Sequence, residues 1–226
     1  MWREPLNFWS NLFREPKVEE VRQSVEDKTT TPTPHYVFIH GANQTRRSWN
    51  YILSKLEPTS YTLLEYNTNI KFEDNLEELH NNIRHLENIF FVGHSLGGLY
   101  SLHLYDRMAD VTLGGVTLST PYGGSKTADY VKYMVPSYSL FREIGPRSIP
   151  ITLGKLINIK VPWRQVVTTS GSVPWHGKDN DGVVTTESMM SRDDIKYTQI
   201  SVNHYEILAM DETVEIIKQE VRCLKF

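Results

Sequence analysis

Cysteine is almost missing from this chain. Cys223 is the only one among 226 residues, which excludes an intrachain disulfide and a cysteine-based zinc site. No run of about 18 apolar residues is present, so there is no candidate membrane-spanning helix. The first fifteen residues lack the continuous apolar core of a signal peptide. An excess of one charge is lacking too: 24 Lys and Arg stand against 27 Asp and Glu, a formal net charge of −3. That balance offers no broad attraction for nucleic acid. No internal repeat is evident. With one cysteine and no leader, the cytosol is the expected location. What is present is ordinary for a soluble globular protein, with 39% hydrophobic and 23% charged residues. The length suits one domain with a substantial core.

Residues 1–34 read as an apolar segment followed by a polar linker. Trp2, Leu6, Trp9 and Phe13 follow helical spacing, and Pro5 suits a first helical turn. Such a segment could dock on a protein partner, lie on a membrane surface, or fold back onto its own domain. The missing basic face argues against anionic lipid and favours docking on protein. The stretch Thr29-Thr30-Thr31-Pro32-Thr33-Pro34 ends the linker, and the folded domain is expected over residues 35–226.

From His35 the chain alternates strand and helix. His35–His40, Tyr61–Tyr66, Ile89–Val92 and Val111–Leu118 read as strands, with helical faces over Trp49–Leu56, Glu73–Leu86 and from Leu96 onward. This alternation predicts a mostly parallel central sheet with helices on both faces. After Pro121 the alternation lapses until about Lys160. Two short helical candidates, Ala128–Met134 and Tyr138–Ile144, are broken by Pro136, Pro146 and Pro150. An irregular apolar insert of this length is expected to be a cap shaping an acyl pocket, with Tyr122, Met134 and Phe141 as candidate substrate contacts. A strand at Arg164–Thr169, a Gly/Pro-rich loop to Gly182, a strand at Tyr197–Val202 and a terminal helix over Glu206–Val221 complete the reading.

Four apolar residues, Ile89-Phe90-Phe91-Val92, run into Gly93-His94-Ser95-Leu96-Gly97-Gly98. Alone, a Gly-x-Ser-x-Gly pattern arises by chance in roughly one chain of this length in thirteen. Between a buried strand and a helix it gains mechanical meaning, because the serine then sits on a strained apex with its hydroxyl clear of the sheet. A serine nucleophile needs a base, and the base needs a carboxylate to fix its tautomer. Among eight histidines, His204 follows the last strand at its carboxyl end and is preferred to His176. His40 suits a structural role, and His94 is the variable position of the turn. Asp181 is preferred to Asp179 as the acid, since it stands directly before Gly182-Val183-Val184. The backbone N–H groups of Ala42 and Leu96 are the candidate donors to a developing oxyanion.

Three blocks now carry a resemblance: Val37-Phe38-Ile39-His40-Gly41-Ala42; Val92 to Gly98; and Asn180-Asp181-Gly182-Val183-Val184 with Asn203-His204. Together they resemble the α/β-hydrolases of the lipase and esterase type, and Leu118–Ser125 is similar to a Thr-Pro-His segment of bacterial lipases and inositol-deacylase-like relatives. Tyr122 stands where His is commoner. The resemblance implies cleavage of a carboxylic ester, small or lipid, through an acyl-serine intermediate formed by Ser95, His204 and Asp181, with no cofactor. A thioesterase or acyltransferase would use the same triad; a non-catalytic binding protein would not require it. Some lipase relatives bind calcium beside the catalytic His. Glu206 has no acidic partner between Glu143 and Asp179, so calcium is not expected.

Overall fold

The computed structural model describes residues 33–125, 144–171 and 179–224. All of these belong to the unit Pro32–Phe226. The apolar segment 1–13, the candidate helix Ala128–Met134, nearly all of Tyr138–Ile144, Met134, Phe141 and His176 lie outside the described residues.

Six strands form one sheet: β1 (His35–Ile39), β2 (Tyr61–Leu64), β3 (Ile89–His94), β4 (Thr112–Leu118), β5 (Trp163–Thr168) and β6 (Lys196–Ile200). Their order is β2-β1-β3-β4-β5-β6 and every pairing is parallel. The described helices are α1 (Asn50–Leu56), α2 (Phe72–Ile83), α3 (Leu96–Arg107), α4 (Ile149–Gly154), α5 (Thr186–Met189) and α6 (Asp211–Arg222).

The near-continuous apolar runs arise because the central strands are covered on both sides. Val37, Ile39, Ile89 and Phe91 pack with Leu76 and Ile83 of α2 and Leu99 and Leu102 of α3. Their strand neighbours Tyr36, Phe38, Phe90 and Val92 pack on the other side, with Ile52 of α1 and Val214 and Ile217 of α6. Alternation along a strand thus divides one apolar run between two cores. α3 is buried from Leu96 to Tyr105, which is why its sequence shows only a weak polar face.

Two expectations change. Pro150 is not a breaker: it lies in the first turn of α4, where a missing N–H costs nothing. The single terminal helix divides into a 3-10 turn, Glu206–Ala209, and α6, because Met210 is extended at φ −103° and ψ 132°. Asp211 and Glu212 then open α6, where acidic side chains oppose the helix dipole.

Candidate active site

The turn between β3 and α3 holds Ser95 at φ 52° and ψ −120°, left-handed backbone that a non-glycine residue seldom adopts. Such a residue carries strain of order 1–3 kcal/mol. Tight packing keeps it there. A Cβ on Gly93 would come within 2.6 Å of Ser101 Oγ and 2.7 Å of Gly98 Cα, so only glycine lets α3 lie this close to its own strand. A Cβ on Gly97 would overlap the carbonyl oxygens of Ile39 and His40, and one on Gly98 would overlap Thr120 Oγ1. The amino end of α3 therefore sits directly against the end of β1. Ser95 is half-buried.

The turn after β1 is braced by His40. Its Nδ1–H donates to Gly41 O at 2.8 Å, and its ring stacks on Tyr66 with centroids 4.6 Å apart. The Tyr66 hydroxyl donates to His40 O at 3.1 Å. Burial lowers the affinity of the His40 imidazole for a proton, against smaller opposing effects of Gly41 and Glu65. Ala42 follows this turn and Leu96 begins α3. Among the described residues neither backbone N–H has an acceptor. A cleft of about 660 Å³ opens beside the turn, with His40, Gln44, Glu65 and Tyr66 in its wall.

Asp181 and His204 are brought together from loops after β5 and β6. His204 Nδ1–H donates to Asp181 Oδ2 at 2.7 Å, and the His204 N–H donates to Asp181 O at 3.0 Å. Three more donors hold the carboxylate: the Thr168 hydroxyl at 2.6 Å on Oδ2, and the Val183 and Val184 amides at 2.9 and 2.7 Å on Oδ1. Burial alone would raise the Asp181 pKa. His204, Thr168 and the Val184 amide outweigh it and hold the carboxyl below its ordinary range. An ionised Asp181 only accepts, so Nδ1 of His204 carries the proton of this bond. Asp179 is exposed, and its carbonyl accepts the Thr186 N–H.

Ser95 meets this pair through its neighbour. His94 Nε2 lies 2.9 Å from His204 O, and the two rings are 4.9 Å apart. A hydrogen bond from Ser95 Oγ to His204 is not among those the described residues make. In hydrolytic sites such bonds often tighten only with substrate.

Tyr122, expected at the substrate, is 3% exposed and packs in the core. Its hydroxyl is engaged by Thr117 Oγ1 at 2.9 Å and Trp163 Nε1–H at 3.1 Å, and the Arg192 guanidinium lies 5.5 Å from its ring. Three contributors were not foreseen: Thr168, Gln44 and His94. Thr168 ends a strand and carries no local signal. Ser119, at φ 51°, reaches Thr168 Oγ1 at 2.8 Å and backs it in turn. No group of three or more metal-ligating side chains occurs among the described residues.

No protein-family model matches the sequence, and comparison with curated proteins gives no match. Solved structures do match in fold. A Bacillus licheniformis lipase superposes with a TM-score of 0.62 at 16% identity, over 83% of this chain and 91% of the lipase. A metagenomic carboxyl esterase gives 0.58 at 16%, over 77% of this chain and 65% of the esterase. A monoacylglycerol lipase of Paleococcus ferrophilus gives 0.54 at 14%, over 84% and 93%. The fold is that of the α/β-hydrolases.

Proposed function

Starting from the α/β-hydrolase fold, we propose that this chain is a serine hydrolase that cleaves carboxylic esters through an acyl-serine intermediate. The observation that carries the reading is the buried Asp181–His204 pair, attached through His94 to a serine held at φ 52°. In this reading Ser95 Oγ attacks the ester carbonyl carbon while His204 Nε2 takes its proton. Asp181 keeps the His204 proton on Nδ1 and stabilises the imidazolium. The carbonyl π electrons move onto oxygen, and the Ala42 and Leu96 N–H groups stabilise that charge. Collapse expels the alkoxide, which receives the proton from His204. Water, deprotonated by the same imidazole, then releases the acid and restores Ser95.

Each role follows from bonding capacity. A neutral imidazole with Nδ1–H already committed can accept at Nε2 alone. An ionised carboxylate holding four donors has no reason to take a proton during turnover. The test is hydrolysis of a p-nitrophenyl ester series of increasing acyl length by the native protein and by Ser95→Ala. The variant should lose at least about three orders of magnitude in rate. Undiminished hydrolysis would move the nucleophile elsewhere.

A further inference from the structure

His94 stands directly before Ser95, has no part in the proposed chemistry, and is fully buried. Each of its ring nitrogens lies 2.9 Å from an oxygen: Nδ1 from Gln44 Oε1, and Nε2 from the main-chain carbonyl of His204. Burial, reinforced by the nearby His204, lowers its pKa from 6.5 to about 3. At neutral pH the ring is therefore neutral and has a single proton for two oxygens. Gln44 Oε1 already accepts the Gly41 N–H at 2.9 Å. The His204 carbonyl has no other donor among the described residues. A buried carbonyl left without a donor is the costlier omission, so the proton belongs on Nε2.

We propose that His94 is a positioning residue for His204, its Nε2–H fixing the main chain on which the general base is mounted. Asp181 holds His204 at its N–H and at Nδ1. His94 supplies the hold on the carbonyl, from the strand that carries Ser95. The link between nucleophile and base is then as short as the chain allows, running from Ser95 through one peptide bond to His94 and across one hydrogen bond to His204. Behind the ring, a Cβ at position 41 would lie 2.7 Å from His94 Nδ1, so glycine in the turn after β1 leaves the imidazole its place. This inference rests on the reading of His204 as the base.

Two substitutions separate a positioning role from simple filling of the core. The terminal amide of glutamine can place an N–H where Nε2 sits, whereas that of asparagine stops short, near Nδ1. With folding checked by circular dichroism, His94→Gln should keep kcat within about threefold, and His94→Asn should lose about 30- to 100-fold with KM little changed. The Asn loss should be greater for an alkyl ester than for a p-nitrophenyl ester, since an alkoxide must be protonated by His204 and a nitrophenolate leaves without help. Equal rates for the two variants, or equal losses on both esters, would overturn the proposal. A second measurement needs no variant: nitrogen-15 chemical shifts of the native protein should report His94 as the Nε2–H tautomer, and an Nδ1–H tautomer would overturn it. If native protein shows no Ser95-dependent hydrolysis, the hydrolase reading fails and this inference falls with it. If native protein hydrolyses esters and His94→Asn is unimpaired, this inference alone falls.

Discussion

Asp181→Asn exchanges one oxygen for an NH2 group, and the surroundings dictate which way that group must point. Four donors converge on the carboxylate: two backbone amides on Oδ1, and the Thr168 hydroxyl and His204 Nδ1–H on Oδ2. The Val183 and Val184 amides cannot turn away, so the asparagine oxygen takes the Oδ1 place. Its NH2 then faces Thr168 and His204. Thr168 can rotate its hydroxyl toward Ser119 Oγ, 2.8 Å away. His204 can adapt only by moving its proton from Nδ1 to Nε2, and in that tautomer it cannot accept from Ser95. Turnover should fall by about 10³- to 10⁴-fold, which is about 4–5 kcal/mol of barrier. Stability should fall far less, by about 1–2 kcal/mol, because every donor except a rotatable one keeps a partner. The assay pairs p-nitrophenyl ester turnover with urea unfolding, and Asp179→Asn serves as a control expected within about twofold of native. Folded Asp181→Asn protein that retained more than about a tenth of native turnover would refute the assigned tautomer.

Two further expectations concern packing and pH. Gly97→Ala should cost at least about 2–3 kcal/mol and abolish activity, because its Cβ would meet backbone carbonyls that cannot give way. Gly154→Ala, whose Cβ would meet side chains at 3.3 and 3.4 Å, should change stability by under about 1 kcal/mol in the same unfolding experiment. His94 remains neutral in the folded protein, with a pKa lowered from 6.5 to about 3, while the unfolded chain takes up a proton below pH 6.5. The unfolded state then binds more protons, so stability is full above that pH and declines as pH falls toward 3. From pH 7 to 5 the loss from this group is about 2 kcal/mol. Burial pushes His40 and His103 the same way. The carboxyls of Asp181 and Asp194, held below their ordinary range, lose their contribution only at lower pH. Urea titrations at pH 7 and 5 measure this directly, and equal or greater stability at pH 5 would contradict it.

The parts of the fold legible in the sequence are those whose signal is local. Ile89-Phe90-Phe91-Val92 is apolar throughout because both faces of β3 are covered, Gly93 and Gly97 mark where backbones approach too closely for a Cβ, and Gly98 marks where the Thr120 side chain does. Parallel alternation could be read for the same reason. Less legible was anything decided by contact between distant loops. Tyr122 follows a strand end in either a pocket or a core; only Thr117 and Trp163, brought together across β4 and β5, place its hydroxyl inside. Thr168 looks like any β-branched strand residue until the Asp181 loop folds over it. His94 reads as the variable residue of the turn because its partners, Gln44 and His204, stand 50 and 110 positions away. The spacing Ile207, Leu208, Val214, Ile217 continues smoothly through Met210, so the break before α6 leaves no trace in periodicity.

If Ser95 is an activated nucleophile, it should react covalently with a fluorophosphonate, and peptide mass spectrometry of the treated native protein will locate the adduct. A single adduct on Ser95, absent after unfolding and much slower to form in Asp181→Asn, is the expected result. Folded protein that remains unlabelled, or labelled on another serine, would contradict it.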